Sequence, residues 1–170
     1  MRVRSAIIDD SDVISRIARD TFSMACPADT PTEEIELYIS ENLTPSVFQT
    51  ALTTSSQKVL VLEKAGDVVG FSLIDYTPDR LGIALADGIP ELKRCYVASE
   101  NHGTGAAQYL LTATLAVASN RIRLTVNDQN ARAIGFYQRN GFQTVGETTF
   151  QCGKDLQRDL VMVREWNELV

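Results

Sequence analysis

The chain has 170 residues, of which 44% are hydrophobic and 22% charged, and it carries a formal net charge of −6. That length suits one domain able to bury about two-thirds of its unfolded surface, and the composition is that of an ordinary globular protein. The acidic balance argues against nucleic acid as a partner, because phosphate contacts need a basic face. No apolar run reaches the length of a membrane helix, so no membrane partner is expected. Residues Met1 to Asp12 turn acidic before any long apolar stretch, so no secretion signal is read and a cytoplasmic location is expected. Cys26, Cys95 and Cys152 are too few and too scattered for a disulfide framework or a metal site.

Val3 to Ile8 reads as a first strand. Asp10 or Ser11 then caps a helix whose Val13, Ile14, Ile17, Ala18 and Thr21 or Phe22 form one stripe. Thr30-Pro31-Thr32-Glu33 has the form of a capping box with proline at the first helical position, and the helix it opens turns Ile35, Tyr38 and Ile39 inward. Thr44-Pro45 starts a shorter helix through Phe48 and Leu52. Lys58 to Glu63 and Val68 to Asp75 read as a hairpin turning at Gly66-Asp67. Pro78 to Pro90 reads as a loop containing Arg80, and Glu91 to Val97 as a strand. Near the end, Gln143 to Gln151 and Asp155 to Arg164 read as two strands meeting at a turn with Gly153. No repeat or linker interrupts this order, so residues 1–170 read as a single domain.

Two segments between these elements carry the chemistry. In the first, Tyr96 and Val97 end a strand, the loop His102-Gly103-Thr104-Gly105-Ala106-Ala107 follows, and an apolar-striped helix begins. A strand that turns on small residues into a helix presents backbone N–H groups at the positive end of a helix dipole, which suits a pyrophosphate. A Cβ at the glycines would hold phosphate oxygens away from those amides. An ordinary strand-to-helix turn has the same glycines. The second segment, Arg121 to Phe142, reads as a strand with Ile122, Leu124 and Val126, a turn, and a helix carrying Ile134, Phe136 and Tyr137. Asn130 is placed to cap that helix and Gly141 to stop it.

Together these segments resemble the GCN5-related N-acetyltransferase (GNAT) superfamily. Asn130, Ala133, Phe136, Tyr137, Gly141 and Phe142 match its second motif, and Val97, Gly103, Gly105 and Ala107 match its first. His102 stands where that family usually has Arg or Gln. The resemblance implies an α/β fold, with a mixed central sheet of about seven strands and helices on both faces. It also implies acetyl-CoA as the acetyl donor, no metal, and transfer to a primary amine by direct attack in a ternary complex.

The roles it implies run residue by residue. Backbone N–H groups from Gly103 through Thr104, Gly105, Ala106 and Ala107 hold the pyrophosphate, and an amide near Val97 polarises the acetyl carbonyl. Tyr96, His102, Asn130 and Phe136 contact the donor, although Asn130 reads equally as a plain helix cap. Tyr137 points at the donor sulfur, and a phenol of ordinary pKa about 10 is protonated at pH 7 and able to give a proton to a thiolate. Alternatively it is a core aromatic beside Phe136. An alkylamine of pKa about 10.4 must lose a proton before it attacks, and Glu91, at the start of the central strand, is the candidate base, acting directly or through water. A solvated strand-end carboxylate is the alternative.

Asp20-Thr21-Phe22, the strand Glu91 to Val97, the glycine loop and the run Gly153 to Met162 look more narrowly like the bacterial polyamine acetyltransferases of the PaiA type. That likeness implies a small polyamine acceptor, with Glu33, Glu34, Asp75 and Asp79 as candidates to line an acidic pocket. Three other readings stay open from the residues: a protein N-terminal acetyltransferase, a catalytically weak acetyl-CoA sensor, and a nucleotide-binding module. The expected assembly is a monomer or homodimer.

Overall fold

The computed structural model describes residues 1–165. Strand β1 is Arg2–Ser5, followed by helices α1 (Ser11–Ala25), α2 (Thr32–Asn42) and α3 (Pro45–Thr53). Strands β2 (Gln57–Lys64), β3 (Asp67–Asp75) and β4 (Glu91–Val97) come next. Helix α4 (Ala106–Val117), β5 (Arg121–Asn127), α5 (Ala131–Arg139), β6 (Gln143–Cys152) and β7 (Asp155–Glu165) follow within the described residues. The seven strands form one sheet in the order β1-β2-β3-β4-β5-β7-β6. Every neighbouring pair is antiparallel except β4 and β5, which are parallel. This is the mixed α/β sheet expected from the sequence.

Alternation along the strands decides what each face holds. Ile122, Leu124 and Val126 of β5 pack with Leu111 of α4, Ile134 and Phe136 of α5, and Phe142. Ala106 and Leu110 of α4 join Leu62 and Val97. On the other face, the α1 stripe Ile14, Ile17, Ala18 and Phe22 is buried against Phe48, Val59, Val61 and Phe71. Residues between β3 and β4 form no helix or strand. Ala86 and Ile89 from that loop cover Val161 and Val163 of β7 on this second face.

Two local expectations differ from what is observed. Strand β1 ends at Ser5 rather than Ile8, because the Asp10 carboxylate accepts the Ile7 N–H at 2.8 Å and two N–H groups of Arg4, which turns the chain early. Those bonds hold Asp10 below its ordinary pKa, so the carboxylate serves the turn and leaves the start of α1 uncapped. The Thr30–Glu33 box does not form either. Pro31 is the N-cap and its carbonyl accepts from Glu34 and Ile35, while Thr30 Oγ1 accepts from Gln157 Nε2 at 3.1 Å. Glu34 turns away to accept the backbone N–H of Lys154, which ties α2 to the β6–β7 turn.

Where β4 and β5 touch, Arg123 is the fixed point. Its side chain is 1% exposed, yet it donates from Nε to Glu91 Oε1 at 3.1 Å and from Nη1 to Ala86 O at 3.1 Å. A third bond goes to Asp79 O, and Asp87 lies 3.7 Å away. A buried guanidinium is tolerated only when its donors and charge are met, and here the β3–β4 loop meets them. Arg123→Met keeps the volume but leaves Glu91 without its guanidinium partner and the Ala86 and Asp79 carbonyls without their donor. We expect a loss of about 3–5 kcal/mol, as for one member of a buried ion pair, read as a lower urea midpoint at unchanged slope.

Candidate active site

Strands β4 and β5 share a single ladder pair, Glu91 with Arg123, and part beyond it. A bulge contributes: β3 pairs Leu73 with Arg94 but Ile74 with Leu92, so Lys93 is the extra residue. Bulges bend the strand that carries them and increase its twist. The opening continues into a cavity of about 690 Å³, bounded by β4, β5, the glycine loop, α5 and the end of α1. The Ala98 N–H bonds Val69 O at 2.8 Å on the β3 side. Since successive N–H groups alternate, the Val97 N–H faces the gap that β5 leaves.

At one end of the cavity stands the start of α4. Its N-cap is Gly105 with φ +83°, and no side chain caps it. Gly103 also has positive φ, and a Cβ built on either glycine meets no atom within 4 Å. The glycines therefore do not relieve internal crowding; they leave room in front of free helix N–H groups, which is the space an anion needs. Thr104 turns its hydroxyl back to Asn101 O at 2.7 Å and leaves that space clear.

His102 closes the loop at its other side. Its Nε2 lies 2.8 Å from Val97 O, and its Nδ1 lies 3.5 Å from an Arg132 guanidinium nitrogen. A carbonyl only accepts and a guanidinium only donates, so Nε2 is the nitrogen that donates to Val97 and Nδ1 the one that faces the Arg132 donor. His102 thus pins the end of β4 to the loop and brings Arg132 of α5 toward the phosphate cradle. Asn130 accepts the Ala133 N–H at 3.1 Å as a helix cap, and it also lines the cavity.

Tyr137 and Phe136 line the middle of the cavity from α5. The Tyr137 ring lies edge-on to Phe142 at 5.5 Å and beside Phe136 at 5.4 Å, and its hydroxyl makes no hydrogen bond to another described residue. Burial pushes this phenol well above its ordinary pKa, with the neighbouring Cys95 and Tyr96 adding to the effect. It is a neutral hydroxyl with a proton to give. Cys95, also on the wall, is pushed up to about 12 by burial, and Cys26 likewise to about 12 by burial and by Cys152. Neither supplies a thiolate at neutral pH.

The far wall was missed by sequence reasoning. Glu91 is where expected, at the start of β4, but one oxygen is committed to Arg123. Beside it are Arg94, whose Nη2 donates to Tyr38 Oη at 3.2 Å, and Asp159 of β7. Asp159 is 7% exposed, and its Oδ1 has no hydrogen-bond partner among the described residues. Burial pushes it up to about 6, with Thr125 drawing it partway back. The sequence held one signal: Asp159 occupies the same strand face as Val161 and Val163, where an unpaired charge is costly. Of the four carboxylates considered for the acceptor side, Asp75 and Asp79 line a second cavity of about 260 Å³, while Glu33 and Glu34 line neither.

Comparisons with known proteins identify the family and the fold. Residues 26–158 match the family model for the acetyltransferase (GNAT) domain. Uncharacterised N-acetyltransferases of Mycobacterium bovis and Mycobacterium tuberculosis are 34% identical over 160 residues, covering 92% of this chain and 97% of theirs. Among solved structures, the PaiA N-acetyltransferase of Thermoplasma acidophilum in complex with coenzyme A superposes with a TM-score of 0.76. It is 20% identical, with 97% of this chain and 98% of that chain covered. The ribosomal-protein-alanine N-acetyltransferase of Brucella melitensis superposes at 0.66 with 21% identity, over 97% of this chain and 99% of that one. With the family model covering most of the chain and relatives 34% identical over 92% of it, the chain belongs to the GNAT family of N-acetyltransferases.

Proposed function

We propose that the protein transfers an acetyl group from acetyl-CoA to a primary amine of a small molecule, a polyamine such as spermidine first, by direct attack in a ternary complex. The observation that carries this reading is the open space before the Gly103 and Gly105 amides, continuous with the β4–β5 gap beneath Tyr137. Residues Gly103 to Ala107 receive the pyrophosphate on free N–H groups, with Arg132 supplying positive charge. The pantetheine arm takes the place β5 vacates along Tyr96 and Val97, and the Val97 N–H donates to the acetyl oxygen as charge develops there. Tyr137 gives its proton to the departing thiolate. Glu91, held in place by Arg123, relays the amine's proton through water. Cys95 and Cys26 kept as thiols favour direct attack over an acetyl-cysteine intermediate.

The polyamine reading is supported by carboxylates at the end of the cavity remote from the phosphate cradle, and by the fold likeness to a PaiA enzyme. Each exposed ion pair is worth about 0–1 kcal/mol, so several acting together are required, and salt weakens them. Spermidine should therefore outperform neutral amines and N-terminal peptides in kcat/KM at low salt, with the margin narrowing as salt rises. Faster acetylation of an alanine-ended peptide under the same conditions would transfer the reading to protein N-termini.

Two variants test the donor side. Gly105→Glu should fold but lose measurable acetyl-CoA binding by calorimetry, because a side chain and a negative charge then occupy the phosphate cradle. Tyr137→Phe should keep its affinity for acetyl-CoA and lower kcat by about 10- to 1,000-fold at saturating acceptor. A kcat within about two-fold of wild type, with chemistry limiting, would make Tyr137 a packing residue.

A further inference from the structure

The two cavities meet. Glu91, Lys93, Thr125, Phe150 and Asp159 line both, so the donor chamber adjoins a smaller chamber under the β3–β4 loop across these shared residues. Of the carboxylates at this junction, Glu91 is taken by Arg123 at 3.1 Å. Asp75, on the wall of the smaller chamber, accepts the Thr77 N–H at 3.0 Å and lies 4.0 Å from Lys93. Asp159 differs from both. It is 7% exposed and its Oδ1 has no partner, although a buried carboxylate oxygen ordinarily accepts a hydrogen bond. Its strand partner Asn127 donates from Nδ2 to Gln157, not to Asp159.

We propose that Asp159 receives the acceptor's ammonium group and takes its proton directly, and that the rest of the acceptor lies in the smaller chamber along Asp75 and Asp79. The proposal rests on the acetyltransferase reading above and names the acceptor subsite within it. An alkylammonium supplies the missing donor to Oδ1 together with the charge that makes burying a carboxylate tolerable. A monoamine fills only the junction, whereas an amine with a second cation a few carbons away also meets the chamber's acids.

The protons balance as follows. R–NH3⁺ gives one to the Asp159 carboxylate and becomes R–NH2. The nitrogen lone pair attacks the thioester carbon, and the adduct loses its second N–H proton through water to Glu91. The C–S bond breaks, the sulfur keeps the electron pair, and Tyr137 protonates it. Tyr137 recovers its proton from that relay and Asp159 releases its own to solvent, so one proton leaves per turnover.

Asp159 is pushed up to about 6, which makes it ionised at neutral pH and more basic than an ordinary carboxylate. The charged and titratable groups around it are Glu91, Lys93 and Arg94 on β4, Arg123 on β5, Asp128 after it, and Cys26 at the end of α1. Among these, Asp128 is the one that raises Asp159 further.

The test compares wild type, Asp159→Asn and Glu91→Gln with acetyl-CoA and spermidine from pH 5 to 9, with thiol release as the signal. Wild-type kcat/KM should carry an acidic limb near pH 6. Asp159→Asn should lose that limb and about 100-fold or more in kcat/KM, with acetyl-CoA affinity by calorimetry unchanged. Glu91→Gln should keep the limb. A hydrazide acceptor, already unprotonated at neutral pH, should recover most of the Asp159→Asn loss, which a merely structural defect would not allow. If Asp159→Asn keeps the limb, or keeps kcat/KM within about two-fold, or loses equally with the hydrazide, the proposal fails while the acetyltransferase reading stands. If wild type binds acetyl-CoA but turns over no amine, both fall together.

Discussion

The bond between Arg123 and Glu91 is the constraint from which the site follows. It marks the only place where β4 and β5 pair, and from that point the strands diverge around a bulge at Lys93. Two parallel strands that stayed paired would leave no room for a donor between them and would use up the Val97 N–H. A sheet that parted without an anchor would expose unpaired backbone along its whole length. Arg123 avoids both outcomes. It pins the base of the opening with side-chain and loop-carbonyl bonds and leaves the far end to be filled by something that hydrogen-bonds like a strand.

Charge is distributed along the opening in one direction. The uncapped α4, the glycine amides and Arg132 make the upper end positive, while Asp159, Asp75 and Asp79 make the lower chamber negative. Tyr137, half-buried and neutral, lies between the two. That polarity matches the proposed anionic donor and cationic acceptor, whose reacting groups would meet at the middle, where the walls are apolar and fields are weakly screened. The net charge of −6 says nothing of this polarity, because the arrangement is local.

What the sequence disclosed follows from range. The α1 stripe, the β2–β3 hairpin and the motif from Asn130 to Phe142 depend on residues a few positions apart, and their periodicity and caps are readable directly. Thr30 failed as a cap because distant Gln157 holds its hydroxyl, and Asp10 takes the N-cap position of α1 but makes no cap bond, because Arg4 and the Ile7 amide hold its carboxylate. The glycine loop was legible as a cradle because helix N-termini are local. The acceptor wall was not, since it gathers Tyr38, Arg94, Thr125 and Asp159 from four elements spread over more than a hundred residues. An aspartate in line with Val161 and Val163 shows that something must meet a charge there, but only the register of β7 against β5 and β6 shows where it faces.

Asp159 also carries a stability cost whose sign is fixed by its environment. With a folded pKa of about 6 against an ordinary 3.8, the native state holds a proton that the unfolded chain has lost between those values. Stability from this group is therefore greatest below about pH 4 and is lost as pH rises through 6, which is the reverse of a salt-bridged aspartate such as Asp10. At pH 8 the ionised carboxylate, with Oδ1 unmet, costs the protein at most about 3 kcal/mol. An asparagine in its place, or a valine continuing the apolar face, removes that cost entirely. Under the proposed role of Asp159, a cation in the junction would meet that charge and return the free energy as affinity, and the Oδ1 without a partner is the group it would satisfy.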